Sequence, residues 1–323
     1  MKKLEEQTGR RAKWRPSIYS PGMTDERPPT MDPVAARRWQ ASAHQSAPWL
    51  HEEIGRRMAQ RLEWIRLNPA SWADWHPLGG GLGAHGLVQK HYPRAACHLV
   101  PASPSDWPVL ARLADPWWTL AHWRRPQPVV GLPADGSMQM VWSNMALHMA
   151  HEPAALIASW HRALQANGFL MFSALGPDTL RELRELYLAL GWPPPSHAFT
   201  DMHDWGDMLV RAGFAEPVMD MEHITLTFPS AERLLRELRE LGRNLHVGRF
   251  AGLRGRQWQG RMLAALARLA NPEGGELALG FEVNYGHALK PPPRAAVLPE
   301  TRVPLGDMRQ ALRGARGLPK GAQ

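Results

Sequence analysis

A single cysteine, Cys97, stands in a chain of 323 residues. One thiol cannot close an internal disulfide, so a cross-linked secreted scaffold is excluded and a reducing cytoplasm is the expected setting. Long apolar runs are missing as well. No stretch of about 18 apolar residues occurs, so no membrane span is expected. The basic N-terminus lacks a following apolar segment, which argues against a secretory signal. No internal repeat is present. Acidic residues are sparse at the two ends: residues 1–16 hold six Lys/Arg against two Glu, and residues 290–323 hold seven against one Glu and one Asp. The chain between them is close to neutral although the net charge is +8. The basicity therefore belongs to two tails, and neither nucleic acid nor a membrane is expected as a partner of the folded body.

Hydrophobic residues make up 44% of the chain, enough for a sizeable core. The organising stretch is 138–190. Met138 to Ser143 is a short apolar run that suits a buried strand. Glu152 to Gln165 carries apolar residues at helical spacing and stops at Asn167-Gly168; Phe169 to Leu175 is a second strand-length run. Gly176-Pro177-Asp178 then opens another helix, since proline tolerates a first turn and aspartate caps it. Strand, helix, strand, helix at this spacing predicts a right-handed parallel crossover, with ligands at the strand C-terminal ends. Ser143, Asn144 and the Leu175-Gly176-Pro177 turn would face such a ligand.

Elsewhere the pattern is consistent. Residues 1–30 read as a disordered basic tail. Residues 31–70 read as a helical cap, with Trp49 to Leu67 amphipathic through Leu50, Ile54, Met58, Leu62 and Ile65. Ser71 to Trp75, Ala95 to Val100 and Gln127 to Gly131 read as strands, with His76 to Gly83 (HPLGGGLG) as a loop and Pro116 to Arg125 as an irregular Trp-rich segment. Met219 to Phe228 and Leu277 to His287 are longer strands, and Ala231 to Leu241 and Arg256 to Ala270 are helices. Pro291-Pro292-Pro293 ends a domain spanning 71–290, and 291–323 is a second basic tail. Five parallel-type strands followed by two hairpin-like ones suggest an α/β sheet with an antiparallel edge. Several of the fifteen tryptophans are expected to cover its open faces.

VWSNMALHM (Val141 to Met149), HRALQANGFLMFSALGPDTLRELREL (His161 to Leu186), FTDMHDWGDMLVRAGFAEPVMDMEHITLTF (Phe199 to Phe228) and FEVNYGHALKP (Phe281 to Pro291) carry a resemblance. So does WLHEEIGRRMAQRLEWIRLNP (Trp49 to Pro69). Over about residues 31–291 the chain resembles the class I S-adenosylmethionine-dependent methyltransferases, and more narrowly the malonyl-[acyl carrier protein] O-methyltransferases of biotin synthesis. The resemblance implies a Rossmann-like seven-stranded sheet whose last strand is antiparallel, S-adenosylmethionine as cofactor, and a malonyl thioester of acyl carrier protein or CoA as substrate. Cofactor-binding candidates are Asp74, Gly79, Gly80, Gly81, Ser143 and Asn144. The sequence departs from the family's D-x-G-x-G-x-G turn, because Asp74 is followed by His76, Leu78 and Gly80; the glycines Gly79, Gly81 and Gly83 fall three residues late. The acid that holds the ribose hydroxyls is missing from His98-Leu99-Val100-Pro101-Ala102.

Methylating a carboxylate needs no general base, because the nucleophile is ionised at neutral pH. The lack of a Ser-His-Asp or paired-carboxylate pattern therefore decides nothing. A cation to orient the substrate is needed, and Arg181, Arg184, Arg243 and Arg249 are the candidates. The segment Arg239 to Arg261, with six arginines against Glu240, is the expected docking patch for an acidic carrier protein. His148, His151 and Glu152 lie close in sequence without a further ligand motif, and no metal is expected. Two readings remain: an O-methyltransferase acting on a malonyl thioester, and a non-catalytic relative that keeps the fold as a binding module.

Overall fold

The short apolar runs at 71–75, 96–100, 138–143 and 164–175 become neighbours in one sheet. The computed structural model describes residues 28, 30–42, 46–114, 126–270, 275–293 and 306. Nearly all of both basic tails, and the Trp-rich stretch 116–125, lie outside the described residues. One compact unit spans Met1–Pro291; a second is Pro292–Gln323.

The strands are β1 (Ser71–Trp75), β2 (Ala96–Val100), β3 (Val129–Val130), β4 (Met138–Ser143), β5 (Leu164–Leu175), β6 (Ala215–Phe228) and β7 (Leu277–Leu289). They form a seven-stranded sheet in the order β3-β2-β1-β4-β5-β7-β6. β1 pairs in parallel with β2 and β4, and β4 with β5. β7 is antiparallel to both β5 and β6. The last strand is thus antiparallel, as the family resemblance implies, but it does not form the edge. It is inserted inside the sheet, and the edge strand is β6.

Alternation along the strands builds a core on each face. Trp72, Met140, Trp142, Phe169 and Met171 point to one side, with Ile54 and Met58 of helix α2 (Trp49–Arg61) and Val88 of α4 (Leu82–His91). Ala73, Val141, Leu170 and Phe172 point to the other, with Ile157 and Trp160 of α6 (Pro153–Ala163) and Trp205 and Leu209 of α8 (Met202–Arg211). Burial on both faces explains the near-continuous apolar runs of β4 and β5. Trp72, Trp142, Trp160 and Trp205 are fully buried, so these tryptophans fill the core and do not cover an open face. Each large side chain buried this way contributes roughly 1.5–3 kcal/mol.

Two local expectations need correction. The glycine stretch is not a simple loop: Pro77–Gly80 forms the short helix α3, and Gly81, at φ 117°, turns the chain into α4. Glycine reaches that backbone region without a Cβ penalty. The Gly176-Pro177-Asp178 segment is a turn, because Leu180 sits at φ 57° and α7 (Arg181–Ala189) starts after it. The turn is tied to β7: the Asp178 amide donates to the Glu282 carboxylate, Thr179 Oγ1 donates to the Glu282 carbonyl and the Leu180 amide to the Gly280 carbonyl. The cap begins with α1 (Pro33–Ala41), where Asp32 accepts from the Val34 and Ala35 amides. It continues with α2, which packs on α3 and α4. The remaining helices are α5 (Trp107–Ala111), α9 (Ala231–Leu241) and α10 (Arg256–Leu266).

Two outcomes follow for stability. Gly286 pairs with Phe172 across β5 and β7, and the ring fills the space a Cβ would need. Gly286→Ala is expected to lower unfolding free energy by about 1–3 kcal/mol in urea titrations, and by less in a Phe172→Leu background. On α2, hydrogen bonds from Arg56 and then Arg57 hold the Glu53 carboxyl down to about 2 against an ordinary 4.5. Because the folded value is depressed, this contribution is complete above pH 4.5 and disappears as pH falls toward 2. Thermal midpoints of the protein and of Glu53→Gln are expected to differ at neutral pH and to converge over that acid range.

Candidate functional site

The chain order reverses between β1, which leads outward to β2 and β3, and β4, which leads to β5. A crevice is expected beyond the C-terminal ends of strands at such a switch point. One is present, lined by His76 and Gly79–Gly80 after β1, Ala102 after β2, Asn144–Ala146 after β4, and Trp39, Pro48 and His51 from the cap. Its enclosed volume is about 80 Å³.

Asn144 is the joint of this crevice. Its Nδ2 donates to the His51 carbonyl at 2.7 Å and to the Gly80 carbonyl, while its Oδ1 accepts from Ser173 Oγ at 2.6 Å. His51 Nδ1 meets the Gly79 carbonyl at 2.8 Å. Gly80 must lack a side chain because a Cβ would come within 2.8 Å of the Asn144 carbonyl oxygen. Glu52, next on α2, accepts from the Gly83 amide at 3.1 Å and the Ala84 amide at 3.0 Å. A carboxylate there satisfies two of the free amides at the start of α4 and sits well against the helix dipole. A Cβ on Gly81 or Gly83 would meet that carboxylate. The glycines thus admit the protein's own cap as much as any ligand, and only Gly79 has open space beside it.

Of the six cofactor candidates, Gly79, Gly80 and Asn144 line the crevice; Asp74, Gly81 and Ser143 do not. Asp74 is buried and bonded to His85 Nδ1 at 2.8 Å, with the His85 ring stacked on Trp72. Burial raises the Asp74 carboxyl, and His85 opposes that shift. The Ser143 hydroxyl is buried without a partner. The acid sought after β2 comes late, as Asp106. Its Oδ2 accepts from the Ala102 and Ser103 amides, so it shapes the turn and does not face the crevice. His76, His51 and Met149 are wall residues that sequence reasoning missed; the left-handed φ of 62° at His76 has no sequence signature.

Two further spaces adjoin the crevice. A cavity of about 110 Å³ lies between His148, Met149, Leu175, Leu180, the 195–199 segment and Phe281. It shares Met149 and Leu241 with the crevice. Burial, followed by the neighbouring His51 and His197, pushes His148 well below the ordinary imidazole range; burial also lowers His197. Both rings are therefore neutral at pH 7. Beyond it opens a hollow of about 1150 Å³ lined by Arg38, Arg243, Arg249 and Arg254 against Glu240. Pro195, Arg243 and Asn244 belong to both this hollow and the cavity.

Arg243 and Arg249 are thus brought to the site, whereas Arg181 and Arg184 are not among the wall residues. Arg181 pairs with Asp178 one turn away. Arg249 is partly committed, with Nη2 2.8 Å from Asp32 Oδ2. Arg254 lies over the rings of Phe250 and Trp258, at 4.2 and 3.9 Å from their centroids. Arg38 comes from the cap helix and was not identified in the sequence. The one set of described residues with three metal-type atoms together is Asp178, His223 and Glu282, within 4.8 Å. Asp178 and Glu282 already hold Arg181 and the Asp178 amide.

No family model matches the chain. A Bacillus subtilis protein, YcgJ, superposes with a TM-score of 0.47 at 13% identity, covering 73% of this chain and 98% of its own, too distant to bear on the argument. Sequence relatives are much nearer. The malonyl-[acyl-carrier protein] O-methyltransferase of Laribacter hongkongensis is 42% identical over 266 residues, 79% of this chain and 87% of its own. That of Gallionella capsiferriformans is 39% identical over 260 residues, 79% and 88% of the two chains. With identity of this order across most of both lengths, and a seven-stranded sheet with an antiparallel last strand, the chain belongs to the malonyl-[acyl-carrier protein] O-methyltransferase family.

Proposed function

We propose that this protein is a cytoplasmic S-adenosylmethionine-dependent O-methyltransferase that esterifies the free carboxylate of a malonyl group carried on acyl carrier protein, a step of biotin synthesis. The observation that carries the reading is the row of three adjoining spaces. A crevice at the β1/β4 switch point is followed by a small cavity at the β4/β5 ends, then by an arginine-lined hollow. This order matches methyl donor, thioester arm and acidic carrier.

The crevice suits the cofactor in position and in its open face at Gly79. Its enclosed part, about 80 Å³, is below the roughly 300 Å³ at which cofactor pockets begin. Trp39, Ser46, Pro48 and Glu240 border both crevice and hollow, so a larger ligand would have to occupy both. Gly79, Gly80, Asn144 and His76 would hold the cofactor, and it would supply an electrophilic methyl group.

The rest falls to the chain's own residues. A malonyl carboxylate is ionised at pH 7, so no side chain has to remove a proton. Trp39 and His51 of the cap wall the crevice, and alignment of the reacting groups supplies the rate. The hollow's arginines draw the acidic carrier and orient it, chiefly raising encounter and affinity.

The deciding experiment mixes the protein with malonyl-acyl carrier protein and S-adenosylmethionine and looks for the methyl ester by mass spectrometry. Ester formation is expected, with malonyl-CoA a poorer substrate because it lacks the carrier's acidic surface. Absence of ester, with no calorimetric heat from S-adenosylmethionine, would leave a non-catalytic binding module. For the docking surface, Arg243→Glu is expected to raise KM for malonyl-acyl carrier protein about tenfold, near 1.4 kcal/mol. The effect on kcat should be smaller, and added salt should shrink the difference. An unchanged KM would remove Arg243 from the docking surface.

A further inference from the structure

Three buried polar atoms beside the cavity at the β4/β5 ends have no hydrogen-bond partner: His148 Nδ1, Ser196 Oγ and His197 Nδ1. All three residues line that cavity. His148 and His197 are themselves buried, at 5% and 3% exposure. Buried polar groups are normally satisfied, so a cluster of three unsatisfied ones beside a void points to an occupant.

The protonation pattern says which kind. His197 Nε2 lies 3.0 Å from the His148 carbonyl oxygen, which can only accept, so Nε2 carries the ring's proton. Nδ1 of the same neutral ring is then a lone pair, which repels an anion and calls for an N–H donor. The Ser196 hydroxyl can donate to a carbonyl. Phe199 fixes the arrangement by edge contacts to both rings, at 5.9 Å from His148 and 4.9 Å from His197. A group offering one N–H and one C=O on adjacent atoms meets both demands. A secondary amide is such a group, and a cavity of about 110 Å³, three to four waters at ~30 Å³ each, has room for it.

A malonyl thioester has no N–H of its own. Resting on the methyltransferase reading above, we propose that His197 and Ser196, with His148, form a subsite that reads the amide of the pantetheine arm next to the thioester sulfur. The amide N–H donates to His197 Nδ1 and its carbonyl accepts from Ser196 Oγ. The acyl head then reaches past Met149 and Leu241 into the crevice, and the arm leaves between Arg243 and Asn244 toward the hollow. These are positioning residues, setting how far the carboxylate enters.

The test compares two small substrates in the full-length protein: malonyl-S-N-acetylcysteamine, and its analogue with an ester oxygen replacing the amide N–H. The amide compound is expected to show at least tenfold higher kcat/KM, through KM. His197→Phe should erase that preference, bringing kcat/KM for the amide compound down to that of the ester analogue. Ser196→Ala removes only a hydroxyl without a protein partner, so it should keep the melting temperature and lose several-fold on the amide substrate, with Ser196→Thr restoring it. Equal kcat/KM for the two compounds in the unmodified protein would overturn the subsite, leaving the three atoms to a buried water. A preference retained in both His197→Phe and Ser196→Ala would also overturn it. If no thioester is methylated at all, the function proposed above fails, and calorimetric titration with pantetheine decides the subsite separately. Binding weakened at least tenfold by Ser196→Ala supports it, and no binding refutes it.

Discussion

The Asn144 side chain is the constraint on which the site depends. One buried amide joins four pieces of chain: the end of β4 that carries it, Ser173 of β5, Gly80 of the glycine turn, and the His51 carbonyl of the cap helix. Both its amide hydrogens and its carbonyl oxygen are engaged by these partners, and the residue is only 2% exposed. Each broken bond would leave a buried group unpaired, at about 1–3 kcal/mol each. The helical cap is thus fixed to the sheet through the residue that also forms the crevice wall. Closing the cap and shaping the crevice are one event.

That joint changes the meaning of the glycines. A glycine-rich turn after a first strand is usually read as clearance for a cofactor's phosphate or sugar. Here Gly80 clears the Asn144 backbone, and Gly81 and Gly83 clear the Glu52 carboxylate. The negative group at the start of α4 comes from α2, where a helix N-terminus otherwise favours an anionic ligand. Glu52 and these glycines are complementary: its carboxylate fills the space beside Gly81 and Gly83.

The fold was legible where periodicity is strong. The run Met138 to Ser143, the helix Ala231 to Leu241 and the strand Ser71 to Trp75 stand where the patterns place them, because a two-face-buried strand and an amphipathic helix have unmistakable spacings. The Gly176-Pro177-Asp178 turn was misread because its conformation is set by Glu282, more than a hundred residues away, and no local pattern carries that contact. The crevice was half legible for the same reason. Gly79, Gly80 and Asn144 follow from strand ends, but His51 and Trp39 arrive from the cap and depend on how it docks. Asp74 looked like a ligand residue because its position fits, and only the packing shows His85 answering it.

The antiparallel last strand has a consequence for the site. A parallel strand in β7's place would bring its C-terminal end to the ligand edge; β7 brings its beginning there instead. Its register sets Val283 opposite Leu175, the last residue of β5. Phe281 and Glu282 therefore arrive at the rim where β4 and β5 stop. Phe281 becomes one wall of the small cavity, and Glu282 holds the turn that presents Leu180 as another. Crevice and cavity then lie side by side because the topology ends β1, β4 and β5 on one edge while starting β7 on that same edge. The sheet's one reversed strand thus supplies a wall of the cavity that lies beside the crevice, without a second domain.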